Sequence, residues 1–208
     1  PPRSTLFPYT TLFRSPPPRR GMSARRAPSR APVAVRASDE KDLPAIAAIY
    51  AHHVLHGFGS FEEAPPDLAE LARRRQEILV KGLPYFVATD EQDEVVGYAY
   101  ASPYRPRSAY RFSVEDSIYV AAGAARKGIG RMLLAALIER CTALGYRQMI
   151  AVIGDSGNHG SIGLHQSQGF ERAGLLSSVG FKAGRWVDGV LMQRALGPGD
   201  STLPVERR

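Results

Sequence analysis

A single cysteine, Cys141, stands among the 208 residues, so no disulfide can close within the chain. It falls on the apolar side of a predicted helix, which points to a buried thiol in a reducing compartment, the cytoplasm. No run approaches the roughly 18 consecutive apolar residues of a membrane-spanning helix, so no membrane partner is expected. His52, His53, His56 and His159 keep no spacing that suits a ligand set; they are read as structural or exposed, and no metal site is expected. Acids are missing altogether from residues 1–30, which hold seven arginines and seven of the sixteen prolines. The net charge of +7 therefore belongs to a tail, because residues 31–208 carry 20 basic and 20 acidic side chains. A neutral body argues against nucleic acid as a partner.

What is present begins with that basic tail. The stretch "TLFPYTTLFRS" (5–15) has strand-like composition, yet it also looks identical to the translation of a widely used short-read sequencing adapter. Residues 1–15, and up to Arg20, are read as an assembly artefact outside the fold, with Met22 as the start. A transit peptide is the second reading. The remainder is 31–196 as one domain and 197–208 as a mobile tail; a hydrophobic fraction of 44% suffices for one core. No internal repeat appears.

Periodicity sets the elements of the body. Residues 33–36 form a strand, and a helix capped by Ser38 or Asp42 follows, with Leu43, Ile46, Ile49, Tyr50 and Val54 at helical spacing. Asp67 caps a second helix with Leu68, Leu71, Ile78 and Leu79 on its apolar face. Residues 84–89 and 95–102 make a hairpin around "DEQDE", and 114–120 is the next strand. A helix over 128–144 buries Ile129, Leu133, Leu137, Cys141 and Leu144. "RQMIAVI" is a strand, Asn158 caps a short helix ending at Gly169, and two strands close the body. The order βααβββαβαββ specifies an α/β fold with a mixed central sheet flanked by helices.

The stretch "AARKGIGRMLLAALIERC" places a basic pair and Gly-x-Gly just before the 128–144 helix. Glycines at a helix start allow close backbone approach, and exposed amides there suit phosphate. A Walker loop would need Gly-Lys-Ser/Thr, and a dinucleotide fingerprint would need a third glycine where Leu133 stands. Strand, short loop, basic residues, glycines and helix in succession instead suit a pyrophosphate held by backbone amides with Arg126, Lys127 and Arg131 nearby.

These residues resemble the acetyl-CoA pyrophosphate loop of the GNAT superfamily of N-acetyltransferases, Gln/Arg-x-x-Gly-x-Gly/Ala. The first place falls on Ala125, a departure, and arginine is shifted to Arg126, where relatives often carry glycine. Asn158 with "SIGLHQSQGF" resembles the next superfamily motif, in which an asparagine and a short helix line the pantetheine arm. "SFEE", "YAYASPYRPRSAYRFSVEDSIYV", "AVIGDSGN" and "VGFKAGRWVD" are similar to the phosphinothricin and methionine sulfoximine acetyltransferases, and the likeness spans the whole body. The resemblance implies acetyl-CoA as co-substrate, a small amino-acid-like amine as acceptor and a homodimer with active sites near the interface. It implies cofactor contacts from Ile118, Tyr119, Val120, Arg126, Lys127, Gly128, Ile129, Gly130, Arg131 and Asn158. Substrate contacts fall on Arg105, Pro106, Arg107, Glu115, Asp116 and Ser117.

Acetyl transfer from a thioester to an amine requires a base for the amine, donors for the oxyanion and a proton for the leaving thiolate. Glu115 matches the family's base, the Val120 amide is the oxyanion donor, and His165 stands where many relatives place a general-acid tyrosine. An imidazole titrates near neutrality and could protonate the thiolate. Arg105 and Arg107 offer bidentate donors to a substrate carboxylate, and Phe61, Tyr110, Phe112 and Trp186 are candidate walls. Two rivals stay open: acetylation of a protein N-terminus or lysine, and a catalytically silent acyl-CoA-binding module that has no need of Glu115.

Overall fold

A computed structural model describes residues 33–205. The readings placed on residues 1–32, the adapter-like stretch and the basic tail, lie outside the described residues. Among those described, the elements run β1 (Ala34–Ala37), α1 (Leu43–His56), α2 (Leu68–Val80), β2 (Tyr85–Thr89), β3 (Val95–Pro103), β4 (Ser113–Val120), α3 (Ile129–Ala143), β5 (Gln148–Gly154), α4 (His159–Ser167), β6 (Glu171–Lys182) and β7 (Arg185–Ala195). This is the expected order βααβββαβαββ, built as one seven-stranded sheet in the order β1-β2-β3-β4-β5-β7-β6. β4 and β5 pair in parallel and every other neighbouring pair is antiparallel. No helix among the described residues is long and apolar enough to cross a membrane.

α3 packs as its spacing dictates: Ile129, Leu133, Leu137 and Cys141 are buried, so the lone thiol is a packing group. The face it covers is open at Gly97, where a Cβ would lie 3.1–3.2 Å from Ile129 and Leu133. Two expectations are met in part. Asp42, one of the two expected candidates, holds the N-cap position of α1 but makes no side-chain cap bond to that helix. The capping box belongs to the 3₁₀ turn before it, where Asp39 accepts from the Glu40 amide and the Asp39 amide donates to Asp42. Asp42 also accepts a forked pair from Arg36 at 2.7 and 2.8 Å, and Ser38, which is not the cap, accepts from the buried Arg75. On α2, Leu68 is exposed while Arg75 joins the buried face.

Beyond β7, residues 197–203, expected as a tail, lie against Arg147, whose guanidinium donates to Gly199 O, Thr202 Oγ1 and Leu203 O.

One feature of the sheet positions everything that follows. β4 and β5 pair only from Ser113↔Gln148 to Asp116↔Ala151, although both strands continue further. The Ala121 amide donates to Val96 O and the Tyr104 amide to Ser113 O. Hydrogen-bonded and non-bonded pairs alternate along an antiparallel ladder, so the odd-numbered residues of β4 bond β3. The N–H and C=O groups of Ile118 and Val120 therefore point the other way, into the gap that opens as β5 diverges.

Candidate active site

The gap between the ends of β4 and β5 is the floor of a cleft of about 710 Å³. Its walls are β4 over residues 115–120, β5 over 151–154, the loop after α1 (59–62), and Asn158, Ser161, Leu164 and His165 around the head of α4. A cavity of about 730 Å³ along β5, β6 and β7 shares no residue with it. Since strand side chains alternate, β4 offers two chemically different faces. Tyr119 packs on Tyr50 and His53 of α1, so Glu115, Ser117 and Tyr119 face that helix and its loop. Asp116, Ile118 and Val120 face α3 and α4.

On the first face, Glu115 is half-buried, and its pKa is pushed up to about 7. Burial is the main cause and the neighbouring Asp116 carboxylate adds to it, while Arg105 opposes them. A carboxylate of that pKa is a competent base near neutral pH. Opposite it, Tyr50 donates to Glu62 Oε1 at 2.8 Å, and Ser60 Oγ lies 3.0 Å from the Tyr50 hydroxyl. Arg74 donates to the same Glu62 oxygen at 2.6 Å and balances its charge.

On the second face, His165 is 3% exposed and both its ring nitrogens are engaged. Nδ1 donates to the Ser161 carbonyl at 2.7 Å, since a carbonyl can only accept. Nε2 lies 2.9 Å from Asp116 Oδ2, and a proton there makes the pair an imidazolium and a carboxylate. Burial alone would lower the histidine's pKa, but the hydrogen bond and charge of Asp116 reverse this and raise it. Both ring nitrogens of His165 are thus bonded within the protein, and the ring is tied to β4. Asp116 Oδ1 is buried without a hydrogen-bond partner among the described residues.

At the loop before α3, Gly128 caps the helix in the left-handed region (φ 82°), and no side chain caps the amides behind it. The first turn of a helix leaves its N–H groups without intrahelical partners, so the backbone here is ready for an anion. Arg126, also at positive φ (61°), occupies a conformation that favours glycine. Gly130 also packs closely, since a Cβ there would lie 3.0 Å from the tip of Leu164, which would have to give way. Ile129 is core, so only its backbone can face a ligand. Arg126, Lys127 and Arg131 are exposed.

Asn158 lines the cleft as expected, with its Oδ1 accepting from the Ser161 amide as the cap of α4. Arg105, Pro106 and Arg107 stand exposed outside the cleft wall; Arg105 lies over the Tyr104 ring and reaches Glu115 through its field alone. Of the four aromatic candidates, Phe61 lines the cleft, whereas Tyr110, Phe112 and Trp186 do not.

His53 was read as structural or exposed, yet it lines the cleft with Nε2 2.8 Å from Val120 O. Its place one turn after Tyr50 and Ile49 on the buried stripe of α1 was the available signal. Burial lowers its pKa, keeping it neutral while it donates to that carbonyl.

The acetyltransferase (GNAT) family pattern matches residues 46–170. The chain is 58% identical to a phosphinothricin N-acetyltransferase of Alcaligenes faecalis, over 82% of this chain and 86% of that one. It is 44% identical to an L-methionine sulfoximine/L-methionine sulfone acetyltransferase of Pseudomonas paraeruginosa, over 79% of this chain and 95% of that one. Among solved structures, a phosphinothricin acetyltransferase of Sinorhizobium meliloti in complex with acetyl-CoA superposes with a TM-score of 0.81 at 52% identity, covering 84% and 94% of the two chains.

Proposed function

The chain belongs to the acetyltransferase (GNAT) family, and on that premise we propose that it acetylates the α-amine of a small amino-acid analogue of the phosphinothricin or methionine sulfoximine type. Acetyl-CoA supplies the acyl group on a thioester. Glu115 removes the amine proton, which an amino-acid ammonium otherwise keeps at neutral pH. The Val120 N–H, aimed into the gap between β4 and β5, donates to the oxygen that gains charge. The start of α3, with Arg126, Lys127 and Arg131 around it, holds the pyrophosphate, and the outward-facing backbone of Ile118 with Asn158 aligns the pantetheine arm. Arg105 and Arg107 approach the substrate carboxylate from the rim. His165 acts as a positioning residue that fixes Asp116 and with it the register of β4 against α4.

The observation that carries this reading is Glu115, half-buried in the cleft wall on β4 where that strand parts from β5, with burial pushing its pKa up to about 7. A homodimer belongs to the same proposal. The β6–β7 hairpin exposes Leu175, Leu176, Val179, Phe181 and Trp186, and Phe61 of the cleft wall lies against Gly180. So does a cytoplasmic setting for the buried thiol of Cys141.

CoA release over a panel of free amino acids, phosphinothricin, methionine sulfoximine and short peptides tests it. The expected result is turnover of one or both analogues at a kcat/KM well above that for any peptide amine. Acetylation of peptides alone would establish a protein acetyltransferase. Acetyl-CoA binding without CoA release from any amine would establish a silent module.

A further inference from the structure

Lys182, the last residue of β6, is 5% exposed and touches no carboxylate among the described residues. Its ammonium donates to two backbone carbonyls of the loop after α1, Gly57 O at 2.9 Å and Ser60 O at 2.7 Å. Burial lowers its pKa, and Glu62 and Glu63 support the charge only from a distance. Withdrawing an ammonium from water without a contacting anion is unfavourable, so the site holds a charge that folding alone does not require.

Three neighbouring features act on the same loop. Gly154 ends β5 directly beneath it, and a Cβ there would overlap the Phe58 carbonyl. The Phe61 ring lies on Gly180, with no room for a side chain between them. The Arg185 guanidinium stands 3.8 Å over the Phe58 ring. The loop so gripped supplies Gly59, Ser60, Phe61 and Glu62 to the cleft wall opposite Glu115. Two carbonyls three residues apart, both bonded to one ammonium, set the curvature of that wall.

We propose that Lys182 is a positioning residue for the amine half of the cleft: by bridging the Gly57 and Ser60 carbonyls it holds the 57–62 wall at the distance from Glu115 that the acceptor amine requires. Lys182 itself does not line the cleft. The inference rests on the acetyltransferase reading for its kinetic arm and is independent of it in its exchange arm.

The kinetic arm compares full-length wild type with Lys182→Met, which keeps the length of the stem and removes every donor, and Lys182→Gln, which keeps one donor. The Met variant is expected to raise the KM for the acceptor amine tenfold or more while kcat falls less than threefold. Acetyl-CoA affinity by calorimetry stays within twofold, and Lys182→Gln falls between. A merely structural lysine would lower the melting temperature and leave that split unmoved, so an amine KM within twofold of wild type in folded Lys182→Met overturns the proposal. The exchange arm uses wild type alone and stands even if both variants fail to fold or no amine is turned over. The Glu62 amide, which donates to Ser60 Oγ in the held loop, should exchange at least tenfold more slowly than the Gln92 amide, which donates to Asp90 Oδ1 in the exposed 91–93 turn. Exchange as fast as that turn overturns the clamp.

Discussion

On β4, Glu115 sits half-buried beside the Asp116 carboxylate, and both circumstances disfavour its charge. The carboxyl that would lose its proton near 4.5 in an open chain keeps it until about 7 in the fold. Activity should therefore rise with pH through that range, because the base works only when ionised. Glu115→Gln should lower kcat/KM by about 10²–10⁴ and remove this acidic limb; retention of a third of wild-type kcat/KM would assign the proton to another acceptor. The same shift has a stability consequence of fixed sign. The native state holds the proton more tightly than the unfolded one, so stability falls as pH rises from about 4.5 to about 7. Relief of that penalty should make Glu115→Gln more stable than wild type at pH 8, by on the order of 2 kcal/mol after solvent screening, and equal at pH 4. Melting curves at the two pH values check it. Arg126 shows a second conflict at this scale, a branched-free but non-glycine residue in left-handed backbone. Arg126→Gly should leave stability unchanged within about 1 kcal/mol, since relieved strain offsets added chain entropy. Its acetyl-CoA KM should rise about two- to fivefold, the weight of one exposed ion pair.

Elements meet at the active site in pairs, and the ion pair of His165 with Asp116 joins α4 to β4. Its side chains are 4% and 2% exposed, so removing one partner strands a buried charge. His165→Phe should destabilise the protein by about 3–5 kcal/mol, with most of that recovered in the double variant that also carries Asp116→Asn. Its kinetic defect should be the same with acetyl donors of high and low thiol pKa, because the imidazole has no free nitrogen to serve the thiolate. A defect that shrinks with the low-pKa donor would restore His165 as the acid. Between α3 and α4, Gly130 lies against Leu164, whereas Gly128, at φ 82°, makes the left-handed turn that starts α3.

For the molecule as a whole, the seven-stranded sheet is the frame and its single parallel pair, β4 with β5, is the place where it opens. The loop after α1 lines one side of the cleft there and the head of α4 the other. A chain starting at Met22 should keep kcat/KM within twofold and its melting temperature within about 2 °C, as surface changes do. A loss beyond that would show that the leading residues belong to the folded protein.

Much of this was legible in the chain because it is local. The apolar stripe of Ile129, Leu133, Leu137 and Cys141, the cap at Asn158 and the hairpin turns depend on residues a few positions apart, and period and cap chemistry determine them. That Glu115 and Asn158 line one cleft, and that Gly128 starts α3, follows from strand and cap signals close in sequence to each. Only the tertiary structure could decide which face each side chain takes and what it meets there. That His165 is spent on Asp116, that His53 reaches the Val120 carbonyl 67 positions away, and that Lys182 grips a loop more than 120 positions upstream all depend on sheet order. Charge burial likewise belongs to the fold: a glutamate acquires a pKa near 7 only when strands and helices have removed the water around it.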